Sequence, residues 1–305
     1  LISCCKSAVG TPIKKNEISI IQVKEHVEFL TSDDLQGRNT GTKGIETAAR
    51  YIENVFTKNN IKPYFETYRD TFNVKDIVGY NVVGLIEGYD PKLKNEFVII
   101  GAHYDHIGFK TTVDNDSIAN GANDNAAGPT AVLALAEYLA KENMNKRSII
   151  IALFSAEEMG LLGSKHLAEK LKERNLNLYT MLNFEMIGVP FKDRDYEAFV
   201  TGYDLTNMAQ IMNNYTGSNY IGRSEVAIKY NLFKQSDNYA FYQVFNVPCQ
   251  TISSCDLSNY DYYHHVDDEA DKLDYEHMTK LINKMIPAIE HICNSATKEI
   301  KMTNE

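Results

Sequence analysis

The chain has 305 residues, 44% of them apolar and 24% charged, with a formal net charge of −10. This is enough chain for one large α/β domain or two small ones with a core of ordinary size, which argues against wholesale disorder. The negative balance argues against nucleic acid as a partner, because neutralising phosphates requires Lys and Arg in excess, and no run approaches the roughly 20 apolar residues of a membrane-crossing helix.

Leu1-Ile2-Ser3-Cys4 has the form of a bacterial lipobox, and residues 6–15 read as a polar tether. Residues 1–16 are therefore expected to be a lipobox remnant and tether, with lipid on Cys4. That places the protein in a bacterial cell envelope, facing the periplasm or on the outer membrane. Residues 17–305 carry no Pro/Gly/Ser-rich divider and read as one domain. Helical periodicity covers 19–31 and 44–58, and strand-like runs follow at 64–72 and 79–87. Phe97-Val98-Ile99-Ile100 is apolar throughout, as in a strand buried on both faces. An amphipathic helix spans Ala126 to Lys141, a second buried strand 148–154, and a helix 160–173. Met181 to Phe184 ends a third short strand; further strands lie near 197–201 and 248–252, and a last helix at 274–294. The alternation predicts an α/β three-layer sandwich, with a mixed, mostly parallel central sheet flanked by helices.

Polar residues gather just after the buried strands, where open α/β sheets bind ligands. The first strand runs into His103-Tyr104-Asp105-His106, the second into Ser155-Ala156-Glu157-Glu158, and the third into Glu185. Each has an ordinary reading by itself. Asp124 can cap the helix that follows it, Glu157 and Glu158 can be a solvated pair near a helix start, and His264 can be a loop histidine. Together they place a ligand type at every central strand end. Of two adjacent acids, one can bind metal while the other takes a proton from a metal-activated water. Asp105 can receive the second N–H of a metal-bound His103, and Glu185 is expensive to bury unless paired or metal-bound. Cys249 and Cys255 are close enough in sequence to form a disulfide, and equally suited to be two reduced, buried thiols.

The motifs resemble those of the zinc aminopeptidases of metallopeptidase family 28, over about Leu30 to Ile292. They are LTSDDLQGR (30–38) with GTKG (41–44), GAHYDHIG (101–108), GANDNAAG (121–128), FSAEEMGLLGS (154–164), NFEMIG (183–188) and YHHVDDEADKLD (263–274). The resemblance implies two zinc ions. His103 and Glu185 serve one, Glu158 and His264 the other, and Asp124 bridges them. It also implies that Glu157 is the base, that Asp105 orients His103 and that Tyr263 steadies the oxyanion. The expected activity is hydrolysis of the N-terminal peptide bond of peptides with a free N-terminus, without a protease-associated insert. The chain departs from the family at Glu185, where Asp is common, which puts occupancy of that metal position in question. It departs again at Ser236-Asp237-Asn238, where Ser-Asp-His is common. Two rivals keep the fold: a single-zinc glutaminyl cyclase and a non-catalytic binding protein. His103 with Asp124 favours two metals over the first, and the Glu157–Glu158 pair speaks against the second.

Overall fold

The computed structural model describes residues 17–303, so the lipobox, Cys4 and the tether lie outside the described residues. The chain opens with helices α1 (Ile20–Leu30) and α2 (Lys43–Lys58), followed by strands β1 (Lys62–Pro63), β2 (Arg69–Val74), β3 (Ile77–Ile86) and β4 (Phe97–His103). A hairpin of β5 (Gly108–Val113) and β6 (Asp116–Ala119) precedes α3 (Ala127–Glu142), β7 (Ser148–Phe154), α4 (Leu162–Glu173) and β8 (Leu178–Phe184). The last part holds β9 (Ala198–Val200), α5 (Met208–Thr216), β10 (Ile221–Gly222), α6 (Glu225–Lys229), α7 (Asn238–Phe245), β11 (Cys249–Ser253) and α8 (Tyr275–Asn294).

At the centre of a nine-stranded sheet, four strands run parallel in the order β7-β4-β8-β11. On the flanks β3 lies antiparallel to β7, and β9 antiparallel to β11. Every residue of β7 and β8 is buried, the pattern of a parallel sheet covered on both faces. Side chains alternate between two cores, as the two-residue period of a strand requires. Val98, Ile100, Ile149 and Ile151 face a layer that includes α1, α2, α3 and α8, whereas Ile99, Ile150 and Met181 face α4 and α7. Each such fully buried aliphatic side chain contributes roughly 1.5–3 kcal/mol. The parallel register aligns His103 with Phe154 and Gly101 with Asn183, so the carboxyl ends of β4, β7 and β8 share one edge.

One expectation is corrected, and one open alternative is decided. Residues 64–72 do not form one strand, because the chain bends over 64–68 and extends again only at Arg69. Cys249 and Cys255 are not bonded; both are free and buried. Cys249 begins β11 and Cys255 lies beyond its end, and a strand rising about 3.3 Å per residue keeps them too far apart for a disulfide.

Candidate metal centre

His103 ends β4 and is fully buried, with Nδ1 3.2 Å from the Asp105 carbonyl and Nε2 3.6 Å from Asp124 Oδ1. The Asp105 carboxylate stands 3.8 Å from the imidazole and has other partners. It accepts from the amides of Glu157 (3.1 Å) and Glu158 (3.4 Å) and from the Thr40 hydroxyl (3.4 Å). Asp105 thereby ties the end of β4 to the turn after β7.

Asp124 sits in an irregular turn over Ala122–Ala126, and α3 begins at Ala127 without a side-chain cap. Its carboxylate is therefore free for the site. The turn is held from below by Asp268, which accepts the amides of Asn123 (2.7 Å) and Asp124 (2.9 Å) and the hydroxyl of Tyr260. Gly121 opens the turn at φ +58, and a Cβ there would lie 2.5 Å from the His106 ring, so only glycine meets both demands.

Glu157 and Glu158 stand before α4, outside its first turn. Ala156, at φ +55, turns the chain sharply after β7. Glu158 Oε2 then lies 3.0 Å from His264 Nε2, and Oε1 lies 2.9 Å from His106 Nδ1. The same His264 nitrogen is 3.2 Å from Asp124 Oδ2. His265 points elsewhere, with Nδ1 accepting from the Asp267 amide at 3.1 Å. Tyr263 stacks on His264 with ring centroids 4.0 Å apart and lines a pocket beside the site.

Two donor groups emerge, His103–Asp124–Glu185 and His106–Asp124–Glu158, each with ligand atoms within 4.8 Å of one another. They share Asp124, and His264 approaches the second group. Glu157 belongs to neither, although it adjoins Glu158. His103 Nε2, Asp124 Oδ2, Glu185 Oε2 and His264 Nε2 are buried without an aligned hydrogen-bond partner among the described residues. Buried polar atoms are rarely left so. Four of them converging on mixed imidazole and carboxylate donors fit divalent cations.

The electrostatics point the same way. Burial pushes Glu185 and Asp105 up to about 7 and Asp237 up to about 6. Burial also raises Glu157 well above the usual Glu range, reinforced by Glu185, Asp237 and Glu158 against the opposing field of His103. Glu158 goes the other way, because the hydrogen bond from His106 and the imidazoles of His264 and His103 beside it together outweigh its burial. The Arg38 guanidinium, also buried, donates to the carbonyls of Tyr104 (2.9 Å), Asn120 (2.7 Å), Gly121 (3.0 Å) and Leu30. Burial lowers it to about 10 while Asp268, Asp105, Asp124 and Glu158 oppose that loss.

Three site residues escaped the sequence reading. His106 follows His103 by three positions in the same motif, and that repetition was its only signal. Arg38 stood in the N-terminal signature without an assigned task. Asp237 is buried beside Glu157 with neither carboxylate oxygen aligned to a partner among the described residues. Its neighbour Asn238, where His is common, accepts from Thr251 Oγ1 (2.7 Å) and donates to the Cys249 carbonyl (3.2 Å), pinning α7 to β11.

Known proteins are similar to this chain in sequence or in fold. A probable zinc metalloprotease of Pyrenophora teres f. teres is 29% identical over 178 residues, covering 55% of this chain and 36% of that protein. The chain spans less than half the length of the curated relatives it matches. In fold it is similar to a zinc aminopeptidase from Bacillus subtilis, with a TM-score of 0.71, 14% identity and coverage of 94% and 98% of the two chains. It is also similar to a glutaminyl cyclase from Porphyromonas gingivalis, with a TM-score of 0.69, 13% identity and coverage of 90% and 99%. Residues 81–289, more than half of the sequence, match Peptidase family M28, and the chain belongs to that family.

Proposed function

We propose that this protein is a zinc-dependent aminopeptidase holding two zinc ions. The observation that carries the reading is the division between adjacent acids: Glu158 lies in a donor group with Asp124, and Glu157 adjoins it without joining either group. His103, Asp124 and Glu185 would hold one ion, and Asp124, Glu158 and His264 the other. Glu185, one methylene longer than the usual Asp, keeps its ligand atom within 4.8 Å of those of His103 and Asp124. Bound there, zinc supplies a Lewis acid for the scissile carbonyl and lowers the pKa of water toward neutrality.

Glu157 takes the proton of the attacking water and passes it to the leaving amine. Glu157 stands next to Glu158 but outside both donor groups, which leaves its carboxylate available for that proton. Tyr263, at the pocket rim, donates its hydroxyl to the oxyanion. The substrate's α-amine lies toward Glu185, which confines cleavage to the first residue. That residue's side chain enters the adjoining pocket, whose apolar walls are Met186, Phe199, Leu232, Cys255 and Leu257. Among the described residues Glu185 is the sole charged one lining it, so the pocket favours uncharged, apolar side chains over acidic ones. The lipobox form of residues 1–4 supports attachment to a bacterial cell envelope through Cys4.

The test is product analysis on two peptides, one headed by Leu and one by Gln, with and without chelator and zinc add-back. Release of the first amino acid, abolished by chelator and restored by zinc, is expected. A pyroglutamyl peptide with ammonia would place the chain with the cyclases, and two unchanged peptides would make it a binding protein.

A further inference from the structure

His106 has no part in the two zinc sets proposed above, yet it is among the most enclosed residues of the site. Its side chain is buried, its ring lies edge-on to His264 with centroids 5.7 Å apart, and it packs against Gly121. Nδ1 lies 2.9 Å from Glu158 Oε1 and 3.8 Å from Asp124 Oδ2, while Nε2 has no partner among the described residues. The first distance matches an N–H···O hydrogen bond and the second is too long for one.

Two roles compete for Nδ1: a lone pair directed at a metal, or an N–H donated to Glu158. A neutral imidazole carries one proton. On Nε2 that proton would be a buried donor with no acceptor among the described residues, whereas on Nδ1 it meets a carboxylate at hydrogen-bonding distance. The proton therefore belongs on Nδ1, and the ring is a donor.

We propose that His106 is a positioning residue for Glu158, its Nδ1–H engaging Oε1 so that Oε2 alone faces the zinc position between Asp124 and His264. The geometry supports this from both ends of Glu158. Its amide is held by Asp105 Oδ2 at 3.4 Å, Oε1 is occupied by His106, and Oε2 lies 3.0 Å from His264 Nε2. A carboxylate fixed in this way would offer a zinc ion one oxygen only. Without the imidazole, Oε1 is free to swing onto the ion.

This inference rests on the zinc reading, and the experiment separates the two. Zinc affinity is measured by competition with a chromophoric chelator, and the visible spectrum of the cobalt-substituted protein is recorded, for wild type, His106→Leu and His106→Asn. The Asn amide nitrogen comes close to the place of Nδ1 and can donate but not titrate. His106→Leu should weaken one of the two zinc ions by about 10- to 100-fold and alter the cobalt spectrum, and His106→Asn should recover most of both. If His106→Asn is as impaired as His106→Leu, the ring ligates the metal and the proposal is overturned. If His106→Leu matches wild type in both measurements, it is overturned as well. Wild type that binds no zinc overturns the zinc reading and the proposal with it.

Discussion

Asp268 accepts the backbone amide of Asp124 at 2.9 Å across 144 positions of sequence. With the Asn123 amide on its other oxygen, it fixes the turn that aims the shared carboxylate at both donor groups. Asp268→Asn replaces one acceptor with an N–H group facing an amide. Zinc affinity should then fall by about 10- to 100-fold, read by chelator competition, and wild-type affinity would show that the turn is held by other contacts.

Glu157→Gln keeps the volume and the hydrogen-bonding reach of the side chain but removes its basicity. Zinc content should remain at the wild-type level while kcat falls by about 10²- to 10⁴-fold. Near-normal turnover would remove Glu157 from the role of base.

Arg38→Lys tests the buried clamp beneath the loops that carry His103 and Asp124. A lysine has no planar fork and cannot reach the four carbonyls that the guanidinium serves. Urea unfolding should show a loss of about 3–5 kcal/mol. A loss below about 1 kcal/mol would mean that the carbonyls find other donors.

Away from the site, Glu46 is held down at about 2 from an ordinary 4.5, first by hydrogen bonds from Arg69 and then by Tyr80 and Arg50. A carboxylate with a depressed folded pKa binds fewer protons in the folded state between these values. Its contribution is therefore complete above about 4.5 and is lost as pH falls through about 2. The group is partly exposed, so the effect should be about 1 kcal/mol. Acid unfolding of Glu46→Gln should lose that share of the wild type's dependence on pH in this window. Parallel curves for the two proteins would contradict the assignment.

The buried centre of the fold was legible because a parallel sheet covered on both faces leaves runs such as Ser148–Phe154, whose every residue is apolar or small. The convergence of His103, Asp124, Glu158, Glu185 and His264 was legible because each stands just past such a run or within a motif of fixed spacing. Less regular pieces were not. The hairpin of β5 and β6 is largely exposed and lacks a buried stripe. Helices α5 and α6 have only nine and five residues, too few for the helical period to stand out. Whether Cys249 and Cys255 pair stayed open in the sequence because proximity in sequence is separation in space along a strand. His106 was hidden because GAHYDHIG holds two imidazoles, and only the turn of the chain decides which carboxylate each one meets.

The account rests on two zinc ions acting together at one carboxylate-rich site. Titrating zinc into chelator-stripped protein while following hydrolysis of a leucyl chromogenic substrate tests this directly. Activity that rises with zinc and reaches its plateau only when both proposed zinc positions are filled is the predicted result. A plateau at one equivalent would contradict the two-zinc site, and no hydrolysis at any zinc concentration would contradict the enzyme.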